Sequence, residues 1–445
     1  MVKPSVIGGR RLGFGVDGVD RWPASIDDAQ IRCIGQLRKG TAFDAPGLMS
    51  TQTALELFVA RATVIKGGGD KDQMAKFPAG GQVLAVDLDA RLARIAATDQ
   101  PLVERLALHW LNHFTAAIAE TPFAYFLSAF EREAIRPHML GKFTDLLIAA
   151  TTHPAMLVYL NNRNSIGPAS LRGVRAKKGL NENHAREVLE LHTLGVNGGY
   201  RQQDIIELAK AMTGWTIDIN PRDDPMEHRL DFDPRIHEPG VRSFMGKRYP
   251  DTGKQQALDI LRDVALHPAT ASFVTRRMVA HFIGDSAPPA LATGLAKVFL
   301  DSGGDLMAVT TALVRDDAIW TLPLVKIRPP IEFAGAAARL LGAMPPNPRP
   351  MASLKAMGQP YMAAAAPNGW PEANEAWIAP DAWKSRLDWA AQASARIPVP
   401  AQPGVLVERA FGDAVSNETR NAVLGGATFS QSLTLLLLSP EFQRR

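Results

Sequence analysis

Apolar residues along this chain recur mostly at three- and four-residue steps, the spacing that lines one face of a helix. Residues 101–118, PLVERLALHWLNHFTAAI, show it clearly and open with a proline suited to a first helical turn. The same period predicts helices over 141–160, 181–195, 203–215, 255–283, 290–315 and 330–342. Small residues in EFAGAAARLLGA would let the last of these pack closely. The C-terminal run SQSLTLLLLSPEFQ reads as a helix ended by Pro440. Alternating apolar and polar positions are scarce. QVLAVD at 82–87 and GWTIDI at 214–219 are the candidates for short strands. The pattern predicts an all-α fold, a large multi-helix globular domain with long irregular loops and at most a few short strands.

Four stretches carry no period: 65–81, 161–180, 218–254 and 343–380. Loops of this length inside a domain are often functional. None has the composition of a low-complexity linker, and no internal repeat is apparent. The chain therefore reads as a single large helical domain over 1–445, with 343–380 as the place for a loop excursion or a boundary.

Composition narrows the function classes. Apolar residues at 46% and charged residues at 21% suit a globular chain and argue against disorder. A net charge of +4 is too mild to call for a nucleic-acid partner. One denser run, Arg172, Arg175, Lys177 and Lys178, reads as a solvated basic loop or a patch for an anion. The single cysteine, Cys33, forbids an internal disulfide and leaves the compartment open. No run of about 18 apolar residues exists, so no membrane span is expected. Arg10-Arg11 is followed by glycines and charged residues instead of an apolar stretch. No signal peptide is read, which makes the cytoplasm the default and leaves the periplasm open.

Strong catalytic signatures are missing. The chain has no GxSxG elbow, no HExxH helix and no CxxC pair. Gly253-Lys254 resembles the end of a phosphate loop, but Gln255 stands where Ser or Thr must hold magnesium.

Three polar constellations remain. His109 and His113 lie one helical turn apart, about 40° on the same face, with Asn112 beside them. Two such histidines can chelate a metal or form a hydrogen-bonded helix contact. In NENHAREVLELH, Asn181 or Asn183 can cap a helix whose Glu182, Asn183, Arg186, Glu187 and Glu190 share an arc of about 140°. That arc is a solvated ion-pair ladder or a carboxylate cluster for a hard cation or acid–base work. The proline-pinned loop 232–240 presents Asp233, His237 and Glu238, as a surface turn or as site residues.

The segment NENHAREVLELHTLGVNGGYRQQDIIELAKAMTGWT resembles the hallmark block of the bacterial family catalogued as domain of unknown function 1800. RLGFG, HWLNHF, RPHMLGKFTDLLIAATTHPAMLVYL, FDPRIHEPGVRSFMG, HPATASFVTRRMVAHFI, RPPIEFAGAAARLLG, GWPEANEAW and LLLSPEFQ resemble its other blocks in the same order. The resemblance maps the family's polar positions onto Asn112, His113, Glu182, Asn183, Arg186, Glu187, Glu190 and His237, and implies that they form one site. It departs from the family at His109, Leu111, Arg201 and Glu238, and implies that the His109–His113 pair is incidental. It also implies a partner, because the family's genes often lie beside those of a sulfatase-like, commonly exported family.

Two expectations follow. One is a binding or assembly protein working with that sulfatase-like partner. The other is a metal-assisted or acid–base hydrolase or transferase acting on an anionic or polymeric substrate. In the second, His113, Glu187, Glu190 and His237 are catalytic in a cleft roofed by 218–254. His113, Glu187 and His237 would hold a divalent metal ion, while Asn112, Asn183 and Arg186 would bind substrate.

Overall fold

A computed structural model describes residues 4–15, 23, 25–117, 123–176, 179–217, 232–284, 287–345, 349–397 and 402–445. Lys177, Lys178 and the first part of the expected roof, 218–231, lie outside these residues. Helices dominate what is described. The one sheet among the described residues is an antiparallel hairpin, Arg242–Phe244 with Lys247–Tyr249. Met245 and Gly246 connect its strands with φ of 47° and 80°, the left-handed pair that a two-residue hairpin turn demands. This hairpin lies in a stretch the sequence reading left irregular.

The strand expected over 82–87 is corrected. It lies inside the helix Gly80–Ala97, where Val83, Leu84, Leu88, Leu92 and Ile95 are all buried at helical steps. A six-residue window there shows alternation, but the longer period wins. The strand expected over 214–219 reduces to a single bridge between Trp215 and Phe232, with residues 218 and 219 outside the described part.

Several long helical stretches are divided at chemically recognisable corners. Residues 141–160 form Phe143–Thr152 and Pro154–Tyr159, and 255–283 form Lys254–Ala265 and Pro268–Phe282. A following proline excludes the helical conformation, so His153 and His267 are extended, at φ −67° with ψ 139° and 140°. Each histidine Nδ1 then accepts the backbone N–H two residues on, at 3.2 Å from Ala155 and 3.1 Å from Ala269. Ser439 before Pro440 makes a third such corner, its Oγ accepting from Phe442 N at 3.2 Å. The same device thus recurs three times, although no repeat is apparent in the sequence.

Buried side chains from Leu12 to Phe442 belong to one connected apolar cluster. Segment 343–380 contributes Leu354, Met357 and Tyr361 to it. Ion pairs cross this interior. Arg136 holds Glu131 at 2.8 Å and Glu104 at 3.1 Å, and Arg94 reaches Glu104 at 3.1 Å. Glu131 opens a π-helical turn, Glu131–Ile135, and a second such turn covers Val188–His192. Turns of this type frequently mark functional positions.

Candidate active site

The helix Pro101–His113 starts on its proline and is buried nearly all round, so its polar residues must find partners inside the protein. Asn112, half-buried in its last turn, does so through both ends of its amide. Its Nδ2 donates to Trp370 O at 2.9 Å, and its Oδ1 accepts from Trp370 N at 2.7 Å. Gly369 makes this approach possible. It sits at φ +78°, and a Cβ there would lie 2.5 Å from Asn112 O. The clamp lays the segment Gly369-Trp370-Pro371-Glu372 along the helix.

Glu372 is thereby delivered to His281, in the last turn of Pro268–Phe282. His281 Nδ1 lies 2.9 Å from Glu372 Oε1, and Lys326 Nζ donates to Glu372 Oε2 at 2.6 Å. Burial alone would raise the Glu372 carboxyl, but His281 and Lys326 outweigh it and hold it well below the usual range. His281 Nε2 points toward Glu332, with Oε1 4.0 Å away, and makes no hydrogen bond among the described residues. Glu332 is itself held by Arg105 at 2.9 Å and by Arg445 Nη2 at 2.8 Å. Burial opposes ionisation of Glu332, yet these arginines bring its pKa down to about 2.

His109 completes the group. Its ring centroid is 5.1 Å from that of His281, and its Nε2 is buried without a hydrogen-bond partner among the described residues. One donor atom each from His109, His281 and Glu372 lie within 4.8 Å of one another. Two imidazoles and a carboxylate are a ligand set for a divalent ion with an open position.

His281, Glu332 and Glu372 form the polar end of a cavity of about 80 Å³. Leu108, Leu111, Ala116, Ile331, Leu354 and Trp370 are among its apolar walls.

The imidazoles continue inward. His109, His113 and His192 follow one another with ring centroids 6.3 Å apart at each step, and His184 neighbours His192 electrostatically. His113 Nε2 is 3.0 Å from His192 O, while its Nδ1 and both nitrogens of His184 and His192 are buried without partners among the described residues. Burial is the main reason that all of them resist protonation. His184 falls to about 3, and His109, His113 and His192 lie well below the ordinary histidine value.

The residues singled out from sequence fall in three places. His113 belongs to the imidazole row, and Asn112 lines the cavity while spending its polar atoms on Trp370. Asn183, Arg186, Glu187 and Glu190 lie on a partly exposed face. Neither asparagine is the N-cap, which is Glu182; Asn181 Oδ1, one residue earlier, accepts from Asn183 N at 2.9 Å. Arg186 spans Glu182 at 3.4 Å and Glu190 at 3.5 Å, the expected ladder. Burial and then Glu190 raise the Glu187 carboxyl. His237 is placed elsewhere: Nδ1 meets Thr213 O at 2.8 Å and the ring leans on Phe232. Glu238 Oε2 accepts from Ala169 N at 2.7 Å, and Asp233 pairs with Arg235 at 2.8 Å. Among the described residues, no hydrogen bond or ion pair joins His113 to Glu187, Glu190 or His237.

Sequence reasoning missed His281, Glu332 and Glu372 as a group. All three lie in blocks quoted above, but positions 281, 332 and 372 share no local spacing that would reveal their meeting.

The model of a family described as Protein of unknown function (DUF1800) matches residues 10–444. No curated protein and no solved structure matches the chain.

Proposed function

We propose that this chain, which belongs to the DUF1800 family, is a metal-assisted hydrolase or transferase centred on the cavity, with His109, His281 and Glu372 holding a divalent ion. The observation that carries this reading is the meeting of three donor groups, two of which, His281 and Glu372, line a mainly apolar cavity. Unpartnered buried imidazole nitrogens support it, since each costs about 1–3 kcal/mol unless something satisfies it. Zinc suits two histidines and a glutamate, and would supply a Lewis acid and a bound water of lowered pKa. Lys326 and the Asn112 clamp would fix Glu372, as partners behind metal ligands commonly do. The lining of a cavity by His281 and Glu372 favours this over a purely assembly role.

Zinc-reconstituted protein is expected to hydrolyse ester or amide substrates, with turnover lost on chelation and in His281→Ala and Glu372→Ala. Turnover that survives both chelation and His281→Ala would contradict the proposal.

A further inference from the structure

We infer that the site takes an oxyanion group of its substrate, a carboxylate, phosphate or sulfate, and that Arg277 is the side chain that grips this group beside the metal ion. This rests on the proposed metal site and adds the class of substrate and a binding residue. Three observations carry it.

First, Arg277 stands beside the donor groups. It lies one helical turn before His281 in Pro268–Phe282, so the two share a face. Its Nη2 donates to Asn368 O at 3.4 Å, on the segment that delivers Glu372. Its guanidinium carbon is 5.9 Å from the centre of the Phe273 ring, which is itself 6.2 Å from that of His113. Burial first, and then nearby charges that include Arg277, keep His109, His113 and His192 neutral. Burial lowers the pKa of Arg277, and Glu372 works against it.

Second, Arg277 is largely uncommitted. A guanidinium carries five N–H donors in a planar fork that matches an oxyanion. Among the described residues Arg277 makes that one long hydrogen bond and no ion pair, and it is half-buried. The other cations nearby are spent: Arg105 and Arg445 on Glu332, and Lys326 on Glu372. Arg186 spans Glu182 and Glu190 and does not line the cavity.

Third, the surroundings are short of negative charge. Among the described side chains, the carboxylates Glu332 and Glu372 face the cations Arg105, Arg445, Lys326 and Arg277. A divalent ion enlarges that positive excess, and charges attract strongly where water is scarce. An anionic group offsets the excess, whereas a neutral one leaves it in place.

Calorimetric titration of the full chain with inorganic phosphate, zinc-loaded and zinc-free, tests this. The zinc-loaded parent is expected to bind phosphate, and Arg277→Gln to weaken that binding at least about tenfold with zinc stoichiometry unchanged. Arg277→Lys should recover part of the loss, since it restores the charge without the fork. Arg276→Gln, on the exposed neighbour, should bind phosphate as the parent does. No phosphate binding to the parent, binding unaffected by Arg277→Gln, binding weakened equally by Arg276→Gln, or zinc lost together with phosphate in both Arg277 variants would overturn the inference. The zinc-free arm separates this from failure of the metal site: weaker phosphate binding that still depends on Arg277 is expected there, whatever the zinc stoichiometry of the parent.

Discussion

Asn112 and Trp370 exchange two hydrogen bonds across 258 residues of sequence, the side-chain amide of one pairing with the backbone N–H and C=O of the other. The pair imitates a rung of a sheet and fixes the chain two residues before Glu372. Asn112 therefore acts on the candidate site through another residue. Asn112→Ala is expected to cost about 0.5–1.5 kcal/mol in denaturant unfolding, because two partly buried backbone groups lose their partner. It should also weaken zinc binding about 10–100-fold. Gly369→Ala should act in the same direction, through its left-handed φ of 78° and its contact with Asn112. Unchanged zinc affinity in a folded Asn112→Ala protein would remove the positioning role.

The buried histidines predict acid sensitivity with a definite sign. His184 keeps a neutral ring because burial lowers its pKa from 6.5 to about 3. The unfolded chain takes up a proton below 6.5 that the folded chain refuses until about 3, so stability falls as pH drops through that window. Each such ring contributes a slope of about 1.4 kcal/mol per pH unit. Replacing His184 by leucine should flatten the acid limb of a stability–pH curve by that amount. An unchanged slope would show that His184 is already protonated in the fold.

Glu332 carries the opposite sign. Its folded pKa of about 2 lies below 4.5, so its stabilisation is present above 4.5 and is lost as pH falls toward 2. Glu332→Gln leaves Arg105 and Arg445 buried without their carboxylate. It should cost about 3–5 kcal/mol near neutral pH. The gap to the parent protein should narrow below 4.5. Paired chemical denaturation at pH 7 and pH 4 measures both effects.

The helical character of the chain was legible because its apolar period persists over many turns. Individual boundaries were less so, since proline corners such as His153-Pro154 and His267-Pro268 interrupt a continuous period without changing it. The exposed ladder of Glu182, Arg186 and Glu190 was legible because its spacing is local. The cavity was not. Its donors come from three separated segments, and the clamp that delivers Glu372 depends on a glycine conformation that no periodicity reveals. The family resemblance implies that His109 is incidental, yet in the fold it stands beside His281.

Among the described residues, Glu187, Glu190 and His237 do not line the cavity, so their conservative replacement should leave its metal binding intact. Glu187→Gln and His237→Gln are therefore expected to retain the zinc affinity of the parent, measured by competition with a chromophoric chelator.

The most direct test of the central claim is elemental analysis after dialysis against zinc, comparing the parent protein with His109→Ala, His281→Ala, Glu372→Ala and Glu187→Ala, each checked for folding by circular dichroism. The account predicts about one zinc per chain in the parent and in Glu187→Ala, and a loss in each of the other three. Zinc absent from the parent, or retained in all three cavity variants, would contradict it.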